Sequence, residues 1–313
     1  MYDSINLKLM QYEAGNVDIF NTVPCYLDNV GEHFYNEFPV ITGNIGRLKI
    51  SINRYQMEIK GGSLCKWYLG DNYQTMGRSD TQRAMEKLSD MLHVPIGKAR
   101  VTRLDIAQNI ITQYPVDVYL NHLGALKYYK RLPMIEAGSL YYIQEGRKLC
   151  FYDKNKEQKS QKEPIPELYK GRNVLRFEYR FISKINNQLG QEKVTGEMLY
   201  NESFYVGLLN RWRDAYKSID KINDSFLNFQ EMRTKQDLYR LGVLSLVERA
   251  GGQLEMIKQI NEAQKQGILS KKQAYDLRKK VKEACSIGGN FTAPNEAIIE
   301  LDRKINDAIK FYR

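Results

Sequence analysis

Residues 139–154, SLYYIQEGRKLCFYDK, alternate apolar and polar side chains on both sides of a glutamate-glycine turn at 145–146. A period of two residues interrupted by such a turn is typical of a β-hairpin. On its second strand, the apolar side chains Leu149 and Phe151 share one face. The side chains on the other face are Lys148, Cys150, Tyr152 and Lys154. The hairpin therefore predicts a sheet with one apolar face and one chemically functional face.

The same alternation occurs in three further segments, at 46–62, 101–111 and 173–182. Each segment has apolar residues on one face and charged residues on the other. The charged residues of interest are Glu58 in the first segment, Arg103 and Asp105 in the second, and Arg176, Glu178 and Arg180 in the third. We expect an α+β fold, in which a mainly antiparallel sheet is covered by helices on one face and exposes Glu58, Asp105, Tyr152, Lys154 and Glu178 on the other.

Helical patterns dominate the remainder of the chain. A helix is predicted from Thr195 to about Tyr216, and the charged, proline-containing stretch 155–172 predicts an exposed loop. We place a catalytic domain at 1–224 and an all-helical accessory domain at 225–313. In the latter, a helix ending near Gln266, a four-residue turn and a helix from Lys271 have helix-turn-helix proportions. An ordinary antiparallel helix pair with a solvated lysine face fits equally well.

Composition limits the function. Among 313 residues, 42% are hydrophobic, and Lys plus Arg exceed Asp plus Glu by ten, which suits a polyanion such as nucleic acid. The sequence has no run of eighteen apolar residues and no signal-peptide core, so we expect a cytoplasmic protein without a membrane partner. The four cysteines lie far apart and the three histidines lack ligand spacing. We therefore expect reduced thiols, and any metal must bind carboxylates.

The charged strand faces suggest phosphoryl chemistry. Mg²⁺ and Mn²⁺ prefer hard oxygen ligands, and Glu58, Asp105 and Glu178 are candidates. The phenol of Tyr152, with an ordinary pKa of about 10, is a weak nucleophile until a metal or a cation such as Lys154 favours the phenolate. Structural alternatives remain open, because strand carboxylates beside arginines also form cross-strand ion pairs. Tyr152 is one of 22 tyrosines, so chemistry alone does not select it.

Three motifs identify a family resemblance. VTRLDIA (101–107), CFYDKNKEQ (150–158) and VLRFEYRF (174–181), in this order, resemble the gene II and gene X replication proteins of filamentous phages. Plasmid rolling-circle initiators with R-x-D-x-A, F-Y-x-K-x-x-E and R-x-E segments look similar. MEIKGGSLCKWYLGDN (57–72) and, more weakly, QGILSKKQ (266–273) extend the match. The resemblance implies a replication-initiator nickase core with an RRM-like sheet.

This resemblance also implies an activity. Such a protein nicks one strand at a replication origin, in single-stranded or supercoiled double-stranded DNA, stays attached to the 5′ phosphate through tyrosine, and later joins the ends. The motif tyrosine is Tyr152, with Lys154 and Glu157 as companions. Asp105 and Glu178 match the family's acidic positions, whereas Glu58 rests on a looser match and Glu157 is the alternative ligand. Host helicase and polymerase are the expected protein partners.

Basic residues are expected to contact DNA. They are Arg103, Lys148, Arg176 and Arg180 on the sheet, and Lys271, Lys272, Arg278, Lys279 and Lys282 in the helical region. Two other functions fit the same residues. A non-enzymatic single-strand binding protein would stack bases on aromatic side chains such as Tyr152 and would bind without cleavage. A water-using metal nuclease would cleave DNA without needing Tyr152.

Overall fold

The structure, a computed structural model, describes residues 1–134, 138–226, 230, 232–286 and 292–312. Its strands are β1 (Tyr2–Met10), β2 (Asp28–Tyr35), β3 (Phe38–Ile45), β4 (Leu48–Ile52), β5 (Gln56–Ile59), β6 (Arg100–Thr112), β7 (Leu123–Leu126), β8 (Lys130–Met134), β9 (Ser139–Gln144), β10 (Arg147–Asp153), β11 (Asn173–Phe181), β12 (Ile219–Lys221), β13 (Asp224–Ser225) and β14 (Thr292–Ala293). Its α-helices are α1 (Ile19–Thr22), α2 (Leu64–Leu69), α3 (Arg78–Leu92), α4 (Val116–His122), α5 (Lys154–Ser160), α6 (Ile185–Leu189), α7 (Glu202–Lys217), α8 (Lys235–Arg249), α9 (Gln253–Lys265), α10 (Lys271–Ser286) and α11 (Glu296–Tyr312). Short 3-10 helices cover Gln11–Glu13, Val23–Tyr26, Ile96–Lys98, Glu167–Tyr169 and Glu197–Tyr200.

One large sheet organises the molecule. Within the described residues, ten strands form an antiparallel sheet in the order β2-β3-β4-β5-β1-β6-β11-β10-β9-β8. The long strand β6 pairs with β1 on one side and with β11 on the other. β10 follows β11, so the segments predicted as strands become neighbours. The predicted α+β fold, with a mainly antiparallel sheet and a helical C-terminal region, is confirmed.

An aromatic stack fixes α7 on the apolar face of the sheet. Phe151 of β10 stacks on Phe177 of β11 with ring centroids 4.3 Å apart, and Phe177 stacks on Trp212 of α7 at 4.7 Å. All three side chains are fully buried. Burying one phenylalanine side chain contributes about 1.5–3 kcal/mol. Because side chains alternate along a strand, the neighbours of Phe151 and Phe177 must lie on the opposite face.

We call the ten-stranded sheet and the helices that share its main apolar core the sheet unit. α11 packs in this core, although it lies in the predicted second domain, 225–313. Its Leu301 is fully buried in the main apolar core. Tyr216 of α7 donates a hydrogen bond to Asp302 Oδ1 at 2.7 Å. By contrast, α8, α9 and α10 share a small core of their own, made by Val247, Ile260, Ala274 and Val281. The predicted domain boundary after residue 224 stays a prediction.

The predicted helix from Thr195 to Tyr216 is divided in the structure. A 3-10 helix, Glu197–Tyr200, precedes α7, and Asn201 separates them with an extended backbone. The Asn201 side chain accepts a hydrogen bond from the backbone N–H of Phe204 at 3.2 Å. An asparagine that caps a helix in this way starts a new helix rather than continuing the old one.

Two other local predictions are corrected. The stretch 155–172, predicted as an exposed loop, begins inside α5, because Asp153 caps that helix by accepting a hydrogen bond from the N–H of Lys156 at 3.0 Å. The region after residue 224 is not entirely helical, since β13 pairs with β14. A short-range hydrogen bond from the cap decides the first structure. A strand partner that is distant in sequence decides the second.

The cysteines Cys25, Cys65, Cys150 and Cys285 are free, as the sequence predicts. Burial raises the pKa of Cys65 and of Cys150 to about 12, so both thiols are protonated at neutral pH.

Among the helices that the structure describes, none is both long and apolar enough to cross a lipid bilayer.

Replacing Leu301 with alanine should destabilise the sheet unit, because the truncation leaves a cavity between α11 and the main core. We expect the free energy of unfolding to fall by about 2–5 kcal/mol. The matched control is Ile299→Ala on the same helix, whose side chain is 56% exposed and whose loss should change stability by about 0.5 kcal/mol at most. Urea unfolding followed by tryptophan fluorescence measures both variants. Equal midpoints would contradict the packing of α11 in this core.

Candidate active site

The strand register places a row of polar side chains on the face opposite α7. Tyr152 of β10 lies opposite Arg176 of β11, and Glu178 is two residues further along β11. Arg180, on the same face, lies opposite Asp105 of β6. Side chains at directly opposite positions project from the same face of a sheet. Tyr152, Glu178 and Asp105 therefore share one face.

A buried carboxylate holds the hydroxyl of Tyr152. This hydroxyl donates a hydrogen bond to Glu178 Oε1 at 2.7 Å. Arg176 Nε donates to the same oxygen at 2.7 Å, and Arg180 Nε donates to Oε2 at 2.6 Å. Tyr152 is 9% exposed and Glu178 is 2% exposed. The face that the sequence predicts to be open is thus covered at this point.

Arg176 connects this cluster to the first strand and to the loop after α2. Its Nη2 forms an ion pair with Asp3 Oδ2 at 2.9 Å. Its Nη1 donates to the backbone oxygen of Asn72 at 2.9 Å and to Asn109 Oδ1 at 3.1 Å. A buried guanidinium group is stable only when its charge and its N–H groups have such partners.

Asp3 and Asn109 also belong to this cluster, although the strand patterns do not predict either of them. Alternation along β1 puts Asp3 in phase with the apolar residues and hence toward the core. A β-bulge between Tyr2 and Ile5, in the pairing with β6, adds one residue and turns Asp3 to the polar face. Asn109 carried a usable signal, because it follows Asp105 by four residues on the same strand and therefore shares its face.

Asp105 has its own arginine partner. Arg103, two residues earlier on β6, donates from Nε at 3.0 Å and from Nη2 at 2.6 Å to the two carboxylate oxygens. Arg180 Nε is 3.9 Å from Asp105 Oδ2. Burial raises the pKa of Asp105 to about 6, although Arg103 acts in the opposite direction. The ion pairs that the sequence left as an alternative are therefore present at both Asp105 and Glu178.

The arginines decide how the cluster is ionised. Burial alone would raise the pKa of Glu178, but the charges of Arg176 and Arg180 and their hydrogen bonds outweigh it and lower the pKa to about 2. Burial, followed by the negative charge of Glu178, raises the pKa of Tyr152 well above its ordinary value. At neutral pH, Glu178 is therefore a carboxylate and Tyr152 is a neutral phenol.

Lys154 does not continue the strand as predicted. β10 ends at Asp153, and Lys154 is the first residue of α5. Its side chain is fully buried, with Nζ 2.7 Å from Glu157 Oε2 and 5.5 Å from the centre of the Tyr73 ring. Burial, followed by the positive charge of Arg176, lowers the pKa of Lys154. The Y-x-K-x-x-E spacing thus places lysine and glutamate one helical turn apart, where they pair.

The region that holds this cluster matches a known protein family. A model of the amino-terminal region of phage replication-associated proteins of the gene II type matches residues 1–203. The chain belongs to this phage replication-associated family. The resemblance to gene II proteins that the sequence suggests is thereby confirmed. No curated protein matches the chain.

Glu58 lies outside the cluster of this gene II-family protein. It forms ion pairs with Lys8 at 3.6 Å and with Lys60. Lys8 lies opposite both Glu58 and Arg100. Arg100 precedes Asp105 by five residues, which is about 17 Å along an extended strand. The position of Glu58 on the correct face therefore does not bring it to Asp105 or Glu178.

The predicted ligands do not form a metal site in this arrangement. Asp105 and Glu178 are held by arginines, and Glu157, the alternative ligand, is held by Lys154. Throughout the described ranges, no group of three or more His, Cys, Asp and Glu side chains could hold a metal ion. These side chains as placed do not fit Mg²⁺ or Mn²⁺, and the metal requirement stays a prediction.

The basic residues predicted on the sheet differ in accessibility. Arg176 is buried in the cluster, whereas the side chains of Arg103 and Arg180 are 35% and 27% exposed. Lys148 Nζ lies 4.1 Å from the centre of the Tyr141 ring. Of the four residues predicted on the sheet, Arg103, Arg180 and Lys148 are therefore accessible to DNA without a rearrangement.

The helical region presents the predicted lysines on its surface. The side chains of Lys271, Lys272, Lys279 and Lys282 are exposed. Arg278 instead donates hydrogen bonds to Asn261 Oδ1 at 2.8 Å and to Gln264 Oε1 at 3.0 Å, so it fastens α10 to α9. The helices α9 and α10 with their short turn are present as predicted, and their use as a helix-turn-helix stays a prediction.

Glu178→Gln should destabilise the protein, because Arg176 and Arg180 would lose the carboxylate that balances them in a buried site. We expect a loss of about 3–5 kcal/mol at neutral pH. Glu58→Gln is the matched control, since it removes ion pairs with lysines at a more exposed position of the same sheet and should cost about 1 kcal/mol or less. Chemical denaturation of both variants tests this difference, and equal losses would refute it.

Glu178 should also make the stability of the folded protein sensitive to acid. The pKa of Glu178 is lowered from 4.5 to about 2 in the folded protein. Its stabilising contribution is therefore fully present above about pH 4.5 and is lost as the pH falls toward 2. Thermal denaturation measured across this window should show a steeper loss for the unmodified protein than for Glu178→Gln. Parallel curves would show that another group controls the acid transition.

Proposed function

We propose that this protein initiates rolling-circle DNA replication in the host cytoplasm by nicking origin DNA through Tyr152. The observation that carries the proposal is the hydrogen bond from Tyr152 to Glu178, flanked by Arg176 and Arg180, inside the region that matches the replication-associated family. Guanidinium groups bind phosphate oxygens in a planar, two-point geometry. A tyrosine among them is therefore well placed for phosphoryl transfer.

The proposed nicking step is a transesterification. The hydroxyl oxygen of Tyr152 attacks the scissile phosphorus, and the bond from phosphorus to the 3′ oxygen of the DNA breaks. The phenol proton ends on that 3′ oxygen. The products are a free 3′ hydroxyl, which primes synthesis, and a 5′ phosphate esterified to Tyr152. Because one phosphodiester replaces another, the reverse step joins strands without an external energy source.

The neighbouring charges have distinct proposed roles. Arg176 and Arg180 offset the negative charge that develops on the pentacoordinate phosphorus. Glu178 accepts the phenol hydrogen bond and so orients Tyr152. Because its pKa is about 2, Glu178 is a poor final acceptor for the phenol proton. Lys154 adds a buried positive charge within electrostatic reach of Arg176.

Loss of the hydroxyl of Tyr152 should abolish covalent attachment to DNA. We expect Tyr152→Phe to give no protein–DNA adduct on single-stranded origin DNA with Mn²⁺, measured by denaturing gel electrophoresis. Tyr141→Phe is the matched control, because Tyr141 lies on the adjacent strand β9 opposite Cys150 and should keep the adduct. The Tyr152→Phe variant should stay folded, since Glu178 keeps its bonds to Arg176 and Arg180.

The outcomes separate the competing functions. An undiminished adduct with Tyr152→Phe would reject this nucleophile. Cleavage without any adduct, unaffected by Tyr152→Phe, would instead support a water-using nuclease. Salt-sensitive binding without cleavage under all metal conditions would support a single-strand binding protein.

Dependence on Mg²⁺ or Mn²⁺ is a separate proposal. We expect adduct formation to stop in a chelator and to return when either ion is added, as the family resemblance implies. The measurement is adduct yield against metal concentration. Full activity in the chelator would refute the metal requirement. Arg176, Arg180 and Lys154 would then offset the negative charge of the phosphate without a metal ion.

We propose that the exposed lysines of the helical region position the protein on origin DNA, while base contacts come from other side chains. Lys271, Lys272, Lys279 and Lys282 offer contacts to phosphate, which position a protein on DNA without reading its bases. Host helicase and polymerase are the proposed partners once the 3′ hydroxyl is free.

A further inference from the structure

Glu163 lies in the segment 154–172, which consists of α5 and the chain that leads from α5 to β11, and groups from distant parts of the chain surround it. Arg47 Nη1, in the turn between β3 and β4, lies 3.3 Å from Glu163 Oε1. Lys66 of α2 forms an ion pair with Oε2, and Gln158 Nε2 donates to that oxygen at 2.5 Å. The hydrogen bond from Lys66 is the main cause that lowers the pKa of Glu163. A single carboxylate thus gathers side chains that lie far apart in sequence.

Glu157, in the same segment, neutralises Lys154. Glu157 Oε2 accepts a hydrogen bond from the fully buried Lys154 at 2.7 Å. Burial lowers the pKa of Lys154 most, and the positive charges of Arg176 and Lys66 lower it further. Lys154 is therefore within electrostatic reach of both Lys66 and Arg176. Arg176 is the residue opposite Tyr152, so this group of cations borders the proposed nucleophile.

These cations suit an anion with several oxygens. Arginine and lysine bind carboxylates and phosphates through the same charge-assisted hydrogen bonds. Cations that are brought together repel one another unless an anion lies among them. In the free protein, Glu157 and Glu163 are those anions. Arg47 and Lys66 come from elements remote from the Tyr152 motif, and nothing in the motif itself requires them there.

We propose that Arg47, Lys66 and Lys154 form a binding site for a phosphate of the DNA strand beside the scissile bond, which Glu163 and Glu157 occupy until DNA displaces them. The inference rests on the proposed function, because that function brings a DNA strand to Tyr152. It adds Arg47 and Lys66 to the DNA contacts. It also makes the segment that carries both acids a cover over the nucleophile.

The covering segment is held together by its own hydrogen bonds. Asn155 Nδ2 donates to the backbone oxygens of Tyr169 and Arg172 at 2.9 and 2.8 Å, which joins the two ends of the segment. Asn155 Oδ1 accepts a hydrogen bond from Tyr73 at 2.6 Å. α5 packs against β10 and β11, where Tyr152 is 9% exposed. Release of Glu163 from Arg47 and Lys66 frees the edge of this cover for an incoming strand.

The test measures binding apart from cleavage. All proteins carry Tyr152→Phe, and the probe is a fluorescently labelled single-stranded origin oligonucleotide whose anisotropy is followed at several NaCl concentrations. Glu163→Gln should bind about two- to fivefold more tightly, because the competing carboxylate is lost. Lys66→Gln and Arg47→Gln should each bind more weakly and should lower the slope of log affinity against log salt by about 0.7.

The controls use the exposed ion pair of Glu145 and Lys184, whose atoms are 2.8 Å apart. Glu145 lies in the turn before β10, and Arg147, the first residue of that strand, is five residues from Tyr152, or about 17 Å along an extended strand. Glu145→Gln and Lys184→Gln make the same changes in net charge as Glu163→Gln and Lys66→Gln. The proposal predicts that the Glu163 and Lys66 variants differ from these controls in affinity and in salt slope. Equal effects within each pair would overturn it.

Two further measurements make the outcome unambiguous. Thermal denaturation shows whether each variant is folded, and Arg47→Gln, at a side chain that is 61% exposed, provides a test if Lys66→Gln does not fold. Adduct formation is measured separately with Tyr152 restored. Differential binding without any adduct would support the phosphate site and refute the nickase. Adduct formation with equal binding of variants and controls would support the nickase and refute the phosphate site.

Discussion

The candidate active site depends on the ion pairs and hydrogen bonds of the buried guanidinium group of Arg176. A charge that is removed from water must be balanced and hydrogen-bonded, and Arg176 obtains this from Asp3, Glu178, Asn72 and Asn109. These partners belong to β1, β11, the loop after α2, and β6. One side chain thus fixes the relative positions of elements that are distant in sequence, and Tyr152 is attached to the same group through Glu178.

This network stabilises the protein and restrains its chemistry at the same time. With Glu178 ionised and Tyr152 buried, the phenol keeps its proton at neutral pH. In the proposed reaction, a phosphate of the DNA balances the charges of the arginines and Lys154 in place of the carboxylates that pair with them in the free protein. The negative charge of DNA therefore complements the positive charges that lie beside the proposed nucleophile.

Short-range patterns predicted most of the sheet and less of the helices. The hairpins and the strands around Asp105 and Glu178 followed from alternation, because each strand buries one face against α7 and neighbouring helices. The helix predicted over 195–216 is divided at Asn201, because the cap at this residue interrupts an apolar pattern that continues across it. The packing of α11 on the sheet unit was not visible, because an amphipathic pattern does not specify the partner of its apolar face.

The sequence by itself determined which side chains share a face, and the family motifs selected Tyr152 among the tyrosines. Only the tertiary structure decided which of those side chains meet. A period of two residues fixes the face of a strand residue but not its position across or along the sheet. Glu58 therefore lies on the predicted face but away from Asp105 and Glu178. A bulge brought in Asp3, and the end of β10 turned Lys154 into α5. Burial of the polar face likewise depends on segments packed over the sheet, which no local pattern encodes.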